Sequence, residues 1–453
     1  MGLGGGATLR LRQQSGHEVR QRAGMRLGGG ATLRLRQQSD GGWKNGPKAR
    51  RNSAQASKSV LPDSISRLSD MTAEHQRPAT APDFLLSRPH SSIRTQGRKA
   101  TYPDPFEAAQ ALHDGQVDLL VGAIPFKTSF RAALSQPDSV IVSEGPLEPP
   151  AFFRGQNAAD KLRVESISPV TSLEEHKAAV AAAIATIRQT RLEKVVLARA
   201  VDVTFEDEPD PLLIAARLID LSANRDGFAV DLSATGRDED QGATFVGSSP
   251  EMLVRREGRT VTAFPLAGST PRTGVASIDD QAARDLLMSG KNQSEHKLVV
   301  DHYRHVLEPL CDNLDIPTKP DIHETTEVIH LGTAIRGELK TDCAHYSALD
   351  LALMLHPTPA IGGTPTDDAI GIIEEVEQPR EFYAGTVGWC DSAGDGEYMV
   401  AIRCCVIEGV MARAWAGGGI VADSDPEEEA EETTAKLQTA LRALNVPAAM
   451  RHV

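Results

Sequence analysis

The sequence predicts an α+β fold, with large antiparallel β-sheets flanked by helices, in a single domain over residues 82–446. The first observation is that apolar strand patterns occur in hairpin-like clusters, such as the one that turns at Arg256-Glu257-Gly258-Arg259. The second is that helical patterns fall between these clusters without strict βαβ alternation, which favours antiparallel pairing. The third is that no linker-like segment interrupts this part of the 453-residue chain. We therefore expect one large catalytic domain.

Each element is predicted from the period of its apolar residues and from the capping and turn residues that bound it. Strands are expected near residues 117–126, 194–203, 227–233, 243–248, 252–256, 260–265, 326–337, 382–390, 397–407 and 410–417. Helices are expected near residues 172–190, 210–222, 279–290, 293–313, 346–355 and 366–376, and a last one begins at Pro426. Residues 71–100 are expected to be rich in loops, so that the ordered fold begins near Pro82.

Residues 1–81 are predicted to form a disordered basic extension. Its first 70 residues are rich in Gly, Arg and Ser, and they contain LGGGATLRLRQQS twice, at 3–15 and at 27–39. Such a composition cannot bury an apolar core. One interpretation is a tail for nucleic acid or an anionic surface. The simpler one, which we favour, is an extension ahead of the domain, with Met71 as an alternative start.

The composition also bears on the class of protein. The net charge of −14 argues against nucleic acid as a general partner. No apolar run approaches the roughly 20 residues of a membrane span, and the N-terminus lacks the apolar core of a signal peptide. The five cysteines form no CxxC pair, which speaks against a zinc site and a disulfide framework. We expect a cytoplasmic protein with neither nucleic acid nor membrane as a partner.

An acidic run near the C-terminus predicts a helix with charged residues beside its buried face. Asp425 can cap the free N–H groups, and Pro426 suits the first helical position. The apolar stripe that follows places Glu429, Glu432 and Lys436 at its border. Two carboxylates one turn apart could hold Mg²⁺, with the lysine beside them for an anion. The alternative is an acidic first turn that the helix dipole favours.

Three further charges fall on patterns that are otherwise apolar. Glu295 shares the buried stripe of helix 293–313, so it needs a partner, and a salt bridge to an arginine is the ordinary explanation. Lys194 opens an apolar strand, and Glu251 stands at the start of another. For these two residues, exposure to water at a strand edge is the usual alternative.

Longer motifs surround these charges. They are KVVLAR at 194–199, VGSSPEML at 246–253, PLAGS at 265–269, EH at 295–296, HPTPA at 356–360, GWCD at 388–391, IRC at 402–404, and the glycine-rich run before the acidic helix. In these motifs, residues 82–445 resemble the chorismate-utilising enzymes: isochorismate synthases, salicylate synthases and the large subunits of anthranilate and aminodeoxychorismate synthases. Within that family the chain is most similar to the isochorismate synthases of siderophore pathways.

The resemblance implies a magnesium enzyme that acts on chorismate, a small dicarboxylate. Glu295 and Glu432 match direct ligands of Mg²⁺, and Glu429 matches a ligand that binds directly or through water. Asn292 stands where many relatives carry an acid. Lys194 matches the general base that activates water for attack on ring carbon 2, and Glu251 matches the acid that protonates the hydroxyl leaving ring carbon 4.

The remaining residues implied by the resemblance bind the substrate. Arg403, Tyr383, Lys436 and the amide of Gly419 match positions that hold its carboxylates. The pocket is implied to be lined by Gly268, Ser269, His330, Thr358 and Ala360. A base and an acid of these types need an enclosed site, because burial and neighbouring charges must adjust their proton affinities.

Differences among relatives favour isochorismate synthase within the family. Anthranilate-type enzymes carry a glutamine in place of the base, so Lys194 points to water as the nucleophile, without a glutaminase subunit. Members that eliminate pyruvate tend to read FPxxTxSG where this chain has HPTPAIGG at 356–363. We expect a monomeric isochorismate synthase for siderophore, salicylate or menaquinone synthesis. The alternatives are a salicylate synthase and an inactive chorismate-binding homologue.

Overall fold

The fold is built around two long antiparallel strands, β6 (Lys194–Phe205) and β20 (Met411–Ile420). Val195 pairs with Ile420 at one end of this ladder, and Thr204 pairs with Met411 at the other. The computed structural model describes residues 77–78, 80–155 and 158–451. Predictions about residues 1–76 lie outside that part of the chain.

The predicted α+β fold with large antiparallel sheets is confirmed. The other strands are β1 (Phe84–Ser87), β2 (Ser91–Tyr102), β3 (Leu119–Ile124), β4 (Ala133–Glu144), β5 (Val164–Pro169), β7 (Gly227–Asp231), β8 (Thr244–Gly247), β9 (Met252–Glu257), β10 (Thr260–Phe264), β11 (Leu266–Pro271), β12 (Cys311–Asp315), β13 (Asp321–Glu324), β14 (Val328–Gly332), β15 (Ile335–Leu339), β16 (Gly363–Thr364), β17 (Thr386–Asp391), β18 (Gly396–Val400) and β19 (Cys404–Glu408). In the described residues, β11, β14 and β13 form a three-stranded sheet, and the other seventeen strands form one large sheet.

The helices pack against these sheets. They are α1 (Pro105–His113), α2 (Ala151–Arg154), α3 (Leu173–Gln189), α4 (Pro211–Leu221), α5 (Ala276–Met288), α6 (Gly290–Leu307), α7 (Ala348–Leu355), α8 (Thr366–Val376) and α9 (Pro426–Ala443). Of these, α9 packs on β20 and contacts both α3 and α4. Helix α3 packs on β6, α4 packs on β7 and β8, and α6 packs on β11. Among the described residues, no helix is both long and apolar enough to cross a membrane.

Helix α9 begins where the sequence predicts. The side chain of Asp425 accepts hydrogen bonds from the backbone N–H groups of Glu427 (2.9 Å) and Glu428 (3.2 Å), and Pro426 occupies the first turn. The predicted apolar stripe is buried: it comprises Ala430, Thr433, Leu437, Ala440 and Leu444. Because the stripe faces the core, Glu429 is carried inward at the edge of the sheet.

The prediction of a helix over residues 293–313 is wrong at both ends. Helix α6 begins at Gly290, where Ser289 caps it, and it ends at Leu307. Pro309 has no N–H group with which to continue the helical hydrogen bonds. The chain then enters β12 at Cys311, and Leu310 packs against the core from the connection.

Three predicted strands are shorter or divided. The strand expected over 326–337 is two strands, β14 and β15, which belong to different sheets. The strand expected over 397–407 is broken between β18 and β19, because Arg403 adopts a positive φ of 54°. The strand expected over 382–390 begins at Thr386, after Ala384 with a φ of 59°. Backbone in this left-handed region cannot continue a β-ladder.

The region before residue 170 holds most of the elements that the sequence did not predict. Residues 71–100 were expected to be rich in loops, yet β1 and much of β2 lie there. Strands β4 and β5 and helix α1 were also not predicted. Residues 138–144 of β4 are exposed, and their apolar residues Val140, Ile141 and Val142 are consecutive, so the sequence shows no alternating pattern although the segment pairs with β2.

Candidate active site

Most of the residues named as candidates line one cavity. Its lining includes Glu251, Gly268, Ser269, Glu295, His330, Ala360, Tyr383, Arg403, Gly419, Glu432 and Lys436. Strand pairing explains part of this convergence, because Ser269 of β11 stands opposite His330 of β14. The exceptions are Lys194, Thr358 and Glu429. The hydroxyl of Thr358 accepts a hydrogen bond from the Ala360 N–H (3.2 Å), so it supports the turn that carries Ala360.

Lys194 and Glu295 meet at the edge of the cavity. The Lys194 side chain is 1% exposed, and its Nζ lies 2.9 Å from Oε1 of Glu295, although the angles fit no hydrogen bond. The buried partner of Glu295 is therefore a lysine, and not the arginine of the ordinary explanation. Gly419 makes this approach possible, because a Cβ there would lie 2.1 Å from Oε1 of Glu295.

Glu251 is a buried carboxyl group at the start of β9. It is 2% exposed, and its Oε1 accepts a long hydrogen bond from the Leu266 N–H (3.4 Å). Burial raises its pKa to about 7, against the smaller opposing effects of that hydrogen bond and of Lys194, Lys436 and Arg403. A carboxyl group with such a pKa is partly protonated near neutrality, so it can donate a proton.

Glu432 of helix α9 is held by two side chains. Its Oε1 accepts a hydrogen bond from Ser269 (2.6 Å) and forms an ion pair with Lys436. Burial opposes ionisation, but Lys436 and the hydrogen bonds outweigh it and lower the pKa of Glu432. Lys436 also donates to the carbonyl oxygen of Gly417 (3.0 Å), which ties the helix to β20.

Glu429, one turn earlier, is deeper and has a different partner. Lys291 donates to its Oε1 over 2.7 Å. Its Oε2 is buried near Ser424 and makes no hydrogen bond of ordinary geometry. Burial and the negative charge of Glu432 raise the pKa of Glu429 to about 7. Among the described residues, these carboxylates do not converge into a ready-made group of three metal ligands.

Arg403 lies at the break between β18 and β19 and is 4% exposed. Its Nη2 donates to Nε2 of His330 (3.1 Å), and its Nη1 lies 3.5 Å from the hydroxyl of Thr439. Burial and Arg403 hold the pKa of His330 well below its usual value, so the imidazole is neutral and can accept. In the described part of the chain, no carboxylate lies within ion-pair distance of the Arg403 guanidinium.

Aromatic side chains complete the cavity. Tyr383 stacks on Trp415 of β20, with ring centroids 5.8 Å apart and an interplanar angle of 8°. A Cβ at Gly417 would lie 2.8 Å from the Tyr383 hydroxyl, so this glycine leaves room for the phenol. Burial raises the pKa of Tyr383, which keeps the hydroxyl protonated as a hydrogen-bond donor.

Sequence reasoning missed two residues at this site, Lys291 and Trp415. Lys291 lies four residues before Glu295, so the two share one face of helix α6. Trp415 alternates with Gly417 and Gly419 along β20 and so shares their face of the strand. Both signals were present in the sequence. The side-chain amide of Asn292 donates to the Ser289 hydroxyl (2.9 Å).

A family model identifies the family to which the chain belongs. The model of the family described as "Chorismate binding enzyme" matches residues 153–445, which contain every candidate site residue. The chain belongs to the chorismate-binding enzymes. This agrees with the resemblance drawn from the motifs.

Individual members of the chorismate-binding enzymes match over most of their length. A Mycobacterium tuberculosis protein with the provisional name isochorismate synthase MenF is 43% identical over 367 residues, 81% of this chain and 96% of the relative. The structure of a Bacillus anthracis protein, provisionally a 2,3-dihydroxybenzoate-specific isochorismate synthase, has a TM-score of 0.73 and 33% identity, covering 84% of this chain and 100% of that one. The structure of the menaquinone-specific isochorismate synthase MenF of Escherichia coli has a TM-score of 0.68 and 25% identity, covering 81% and 89%.

Proposed function

We propose that this chorismate-binding enzyme is a magnesium-dependent isochorismate synthase. The observation that carries the proposal is a cavity lined by a carboxyl group with a pKa of about 7 and by an arginine that has no carboxylate partner among the described residues, with the buried Lys194 at its edge against Glu295. The relatives with isochorismate synthase names support the reaction. The chain is an enzyme of that type, and the residue roles that follow are our assignment.

Arg403 binds a carboxylate of chorismate in this proposal. A buried guanidinium is costly unless an anion pairs with it, and within the described residues it has only neutral hydrogen-bonding partners. A substrate carboxylate supplies the missing charge and can accept two parallel hydrogen bonds. The phenol of Tyr383 and the amide of Gly419 face the same cavity and can donate to the substrate.

Glu295, Glu429 and Glu432 fit a magnesium ion. They are hard oxygen donors, Oε2 of Glu429 is buried without an ordinary hydrogen bond, and the glycines at 418 and 419 let the carboxylates approach β20 closely. Mg²⁺ often keeps several waters and shares substrate oxygens, so a few protein carboxylates suffice. When bound, the ion supplies positive charge that holds a substrate carboxylate and polarises it.

Lys194 and Glu251 divide the proton transfers between them. Lys194, as the neutral amine, takes a proton from a water that attacks ring carbon 2. Glu251, as the neutral acid, gives its proton to the hydroxyl of ring carbon 4, which leaves as water while the ring double bonds shift. The net change exchanges one hydroxyl position for another. The enzyme regains its starting form once Lys194 loses its proton and Glu251 gains one.

Product analysis tests the proposal. Chorismate incubated with the wild-type enzyme and Mg²⁺ should stop at a chorismate–isochorismate mixture, and isochorismate alone should give the same mixture, because the exchange lies near equilibrium. Chromatography measures both compounds. Pyruvate and salicylate accumulating at the turnover rate would show a salicylate synthase instead. No conversion would show an inactive homologue.

The destination of the product is a finer question. Relatives with high coverage include one specific for 2,3-dihydroxybenzoate and one specific for menaquinone. We infer that this chain supplies isochorismate to a siderophore or a menaquinone pathway. The genes beside its own, and growth of a deletion strain with 2,3-dihydroxybenzoate or menaquinone supplied, would distinguish the two.

A further inference from the structure

Arg403 also lines a second, small cavity, and it is the one residue that this cavity shares with the substrate cavity among their described lining residues. Arg403, Glu327 and Thr439 contribute to its lining, together with Glu324 and Asp226. Glu327 is 7% exposed, and no role assigned above uses it. A buried carboxylate needs a compensating partner, so its contacts indicate what it does.

Glu327 reaches Arg403 through one hydroxyl group. Oε2 of Glu327 accepts a hydrogen bond from Thr439 Oγ1 over 2.9 Å, and the same oxygen of Thr439 lies 3.5 Å from Nη1 of Arg403. Oε1 of Glu327 accepts from Arg442 Nη1 over 3.3 Å. Glu327 is thus the carboxylate that the Thr439 hydroxyl links to the Arg403 guanidinium.

The elements that carry these residues are those that build the active site. Glu327 directly precedes β14, which carries His330, the acceptor for the other guanidinium nitrogen. Thr439 and Arg442 lie on α9, which carries Glu429 and Glu432, two of the three carboxylates proposed to bind Mg²⁺. Glu327 therefore joins the strand and the helix on either side of Arg403.

We propose that Glu327 is a positioning residue for the reaction, a counter-charge held one hydroxyl away from Arg403. The inference rests on the proposed role of Arg403 as the group that binds a substrate carboxylate. At this separation Glu327 offsets the cost of burying the guanidinium, because opposite charges attract over several ångströms inside a protein. It does not form an ion pair with Arg403, so the guanidinium keeps its capacity for the substrate.

Two other carboxyl groups near Arg403 offset its burial less than Glu327 does. Glu432 is held by Lys436 and Ser269, and burial raises the pKa of Glu251 to about 7, which favours its neutral form. Burial lowers the pKa of Arg403, and among the charges that oppose this effect Glu327 is the strongest. Glu327 is therefore both the charge that acts most strongly on Arg403 and the carboxylate that Thr439 links to it.

Because Glu327 lies close to Arg403, removing its charge should strengthen substrate binding and not weaken it. Its negative charge also repels the carboxylate that Arg403 binds. Glu327→Gln keeps the shape and an acceptor for Thr439 but removes the charge. We expect the KM for chorismate to fall about three- to tenfold, as for loss of one like charge at intermediate effective dielectric. kcat should not rise, since the acid and base are untouched.

Thermal unfolding supplies a second readout. Without substrate, Glu327→Gln should have a lower Tm than wild type, because the buried guanidinium loses its counter-charge. Saturating chorismate and Mg²⁺ should then raise the Tm of the variant by more than that of wild type, since tighter binding stabilises the folded state more. A residue with a purely structural role would lower both Tm values equally and leave KM unchanged.

The matched control is Glu324→Gln. Glu324 lines the same small cavity, but its carboxylate pairs with Arg272 (3.2 Å) and not with the Thr439 link. We expect KM and the substrate-induced rise in Tm to match wild type. If Glu324→Gln lowers KM as much as Glu327→Gln does, the effect is a general one of cavity charge, and the specific inference is overturned.

A double-mutant cycle tests the role of Glu327 separately from the proposed role of Arg403 in substrate binding. Arg403→Gln should raise KM strongly, and adding Glu327→Gln to it should lower KM by less than it does in wild type, because the substrate carboxylate is no longer held close to Glu327. If Arg403→Gln leaves KM at the wild-type value, the proposed role of Arg403 fails. If Arg403→Gln raises KM but Glu327→Gln alone leaves it unchanged or raises it, only the inference about Glu327 fails.

Discussion

The three carboxylates of the site and its buried arginine have different kinds of direct partner. Glu295, Glu429 and Glu432 each face a lysine of the same chain, namely Lys194, Lys291 and Lys436. Arg403 has a neutral histidine and a threonine as its direct partners. A cation that binds to these carboxylates must therefore share them with lysines. An anion that binds to Arg403 does not have to displace a carboxylate of the described residues. We therefore expect Mg²⁺ to compete with the three lysines for the carboxylates on the acidic side, and a substrate carboxylate to pair with Arg403 on the other side.

The largest expected effect is on the reaction rate, when the proposed base Lys194 or the proposed acid Glu251 is replaced. Lys194→Ala should abolish addition of water, and Glu251→Gln should block departure of the hydroxyl, because general acid–base help is worth roughly 10²–10⁴-fold for each group. Chorismate should still raise the Tm of both variants, since neither group is its principal anchor. Steady-state rates and thermal unfolding measure these effects. A Lys194→Ala enzyme with the wild-type rate would remove the proposed base.

The acidic side can be tested with charge-removing variants. Glu432→Gln and Glu295→Gln should each reduce turnover severely, and Mg²⁺ should then raise their Tm less than it raises that of wild type. Glu431→Gln is the matched control, because Glu431 is an exposed carboxylate on the same helix. If the turnover of Glu432→Gln equals that of wild type at saturating Mg²⁺, Glu432 is not a metal ligand, and the proposed role of the acidic side is wrong.

The third test uses pH and the free protein. Burial raises the pKa of Glu251 from an ordinary 4.5 to about 7, so between those values the folded protein keeps a proton that the unfolded chain has lost. Stability should therefore fall as pH rises through this window. In Glu251→Gln the fall should be smaller by up to about 3 kcal/mol. Urea unfolding between about pH 5 and pH 7 checks it, and an equal slope in variant and wild type would contradict it.

The smallest expected effect concerns the extension. A protein that starts at Met71 should keep wild-type activity and Tm, because residues 1–70 lack the apolar content to join a core. Both sides of the site lie within residues that such a truncation retains. A large loss of activity in the truncated protein would show that the extension contributes to the site.

The sequence predicted helix α9 well because several signals agree there: a capping Asp425, Pro426 in the first turn and a clear apolar stripe. It predicted the buried state of Glu295 but not its partner, because Lys194 is distant in the chain and strand order cannot be read from periodicity. The break at Arg403 was missed for a similar reason. A positive φ at a non-glycine residue is imposed by packing and leaves no local signal.

Successive turns of helix α9 carry side chains with different partners in and around the site. Glu429, Glu432, Lys436, Thr439 and Arg442 follow one another at intervals of three or four residues along one side of the helix. Inserting or deleting a single residue between them would rotate everything downstream by about 100° and swing its side chains away from β20 and Arg403. Related chains can thus differ in length before Pro426 or beyond Ala443, but within this helix the number of residues must stay constant.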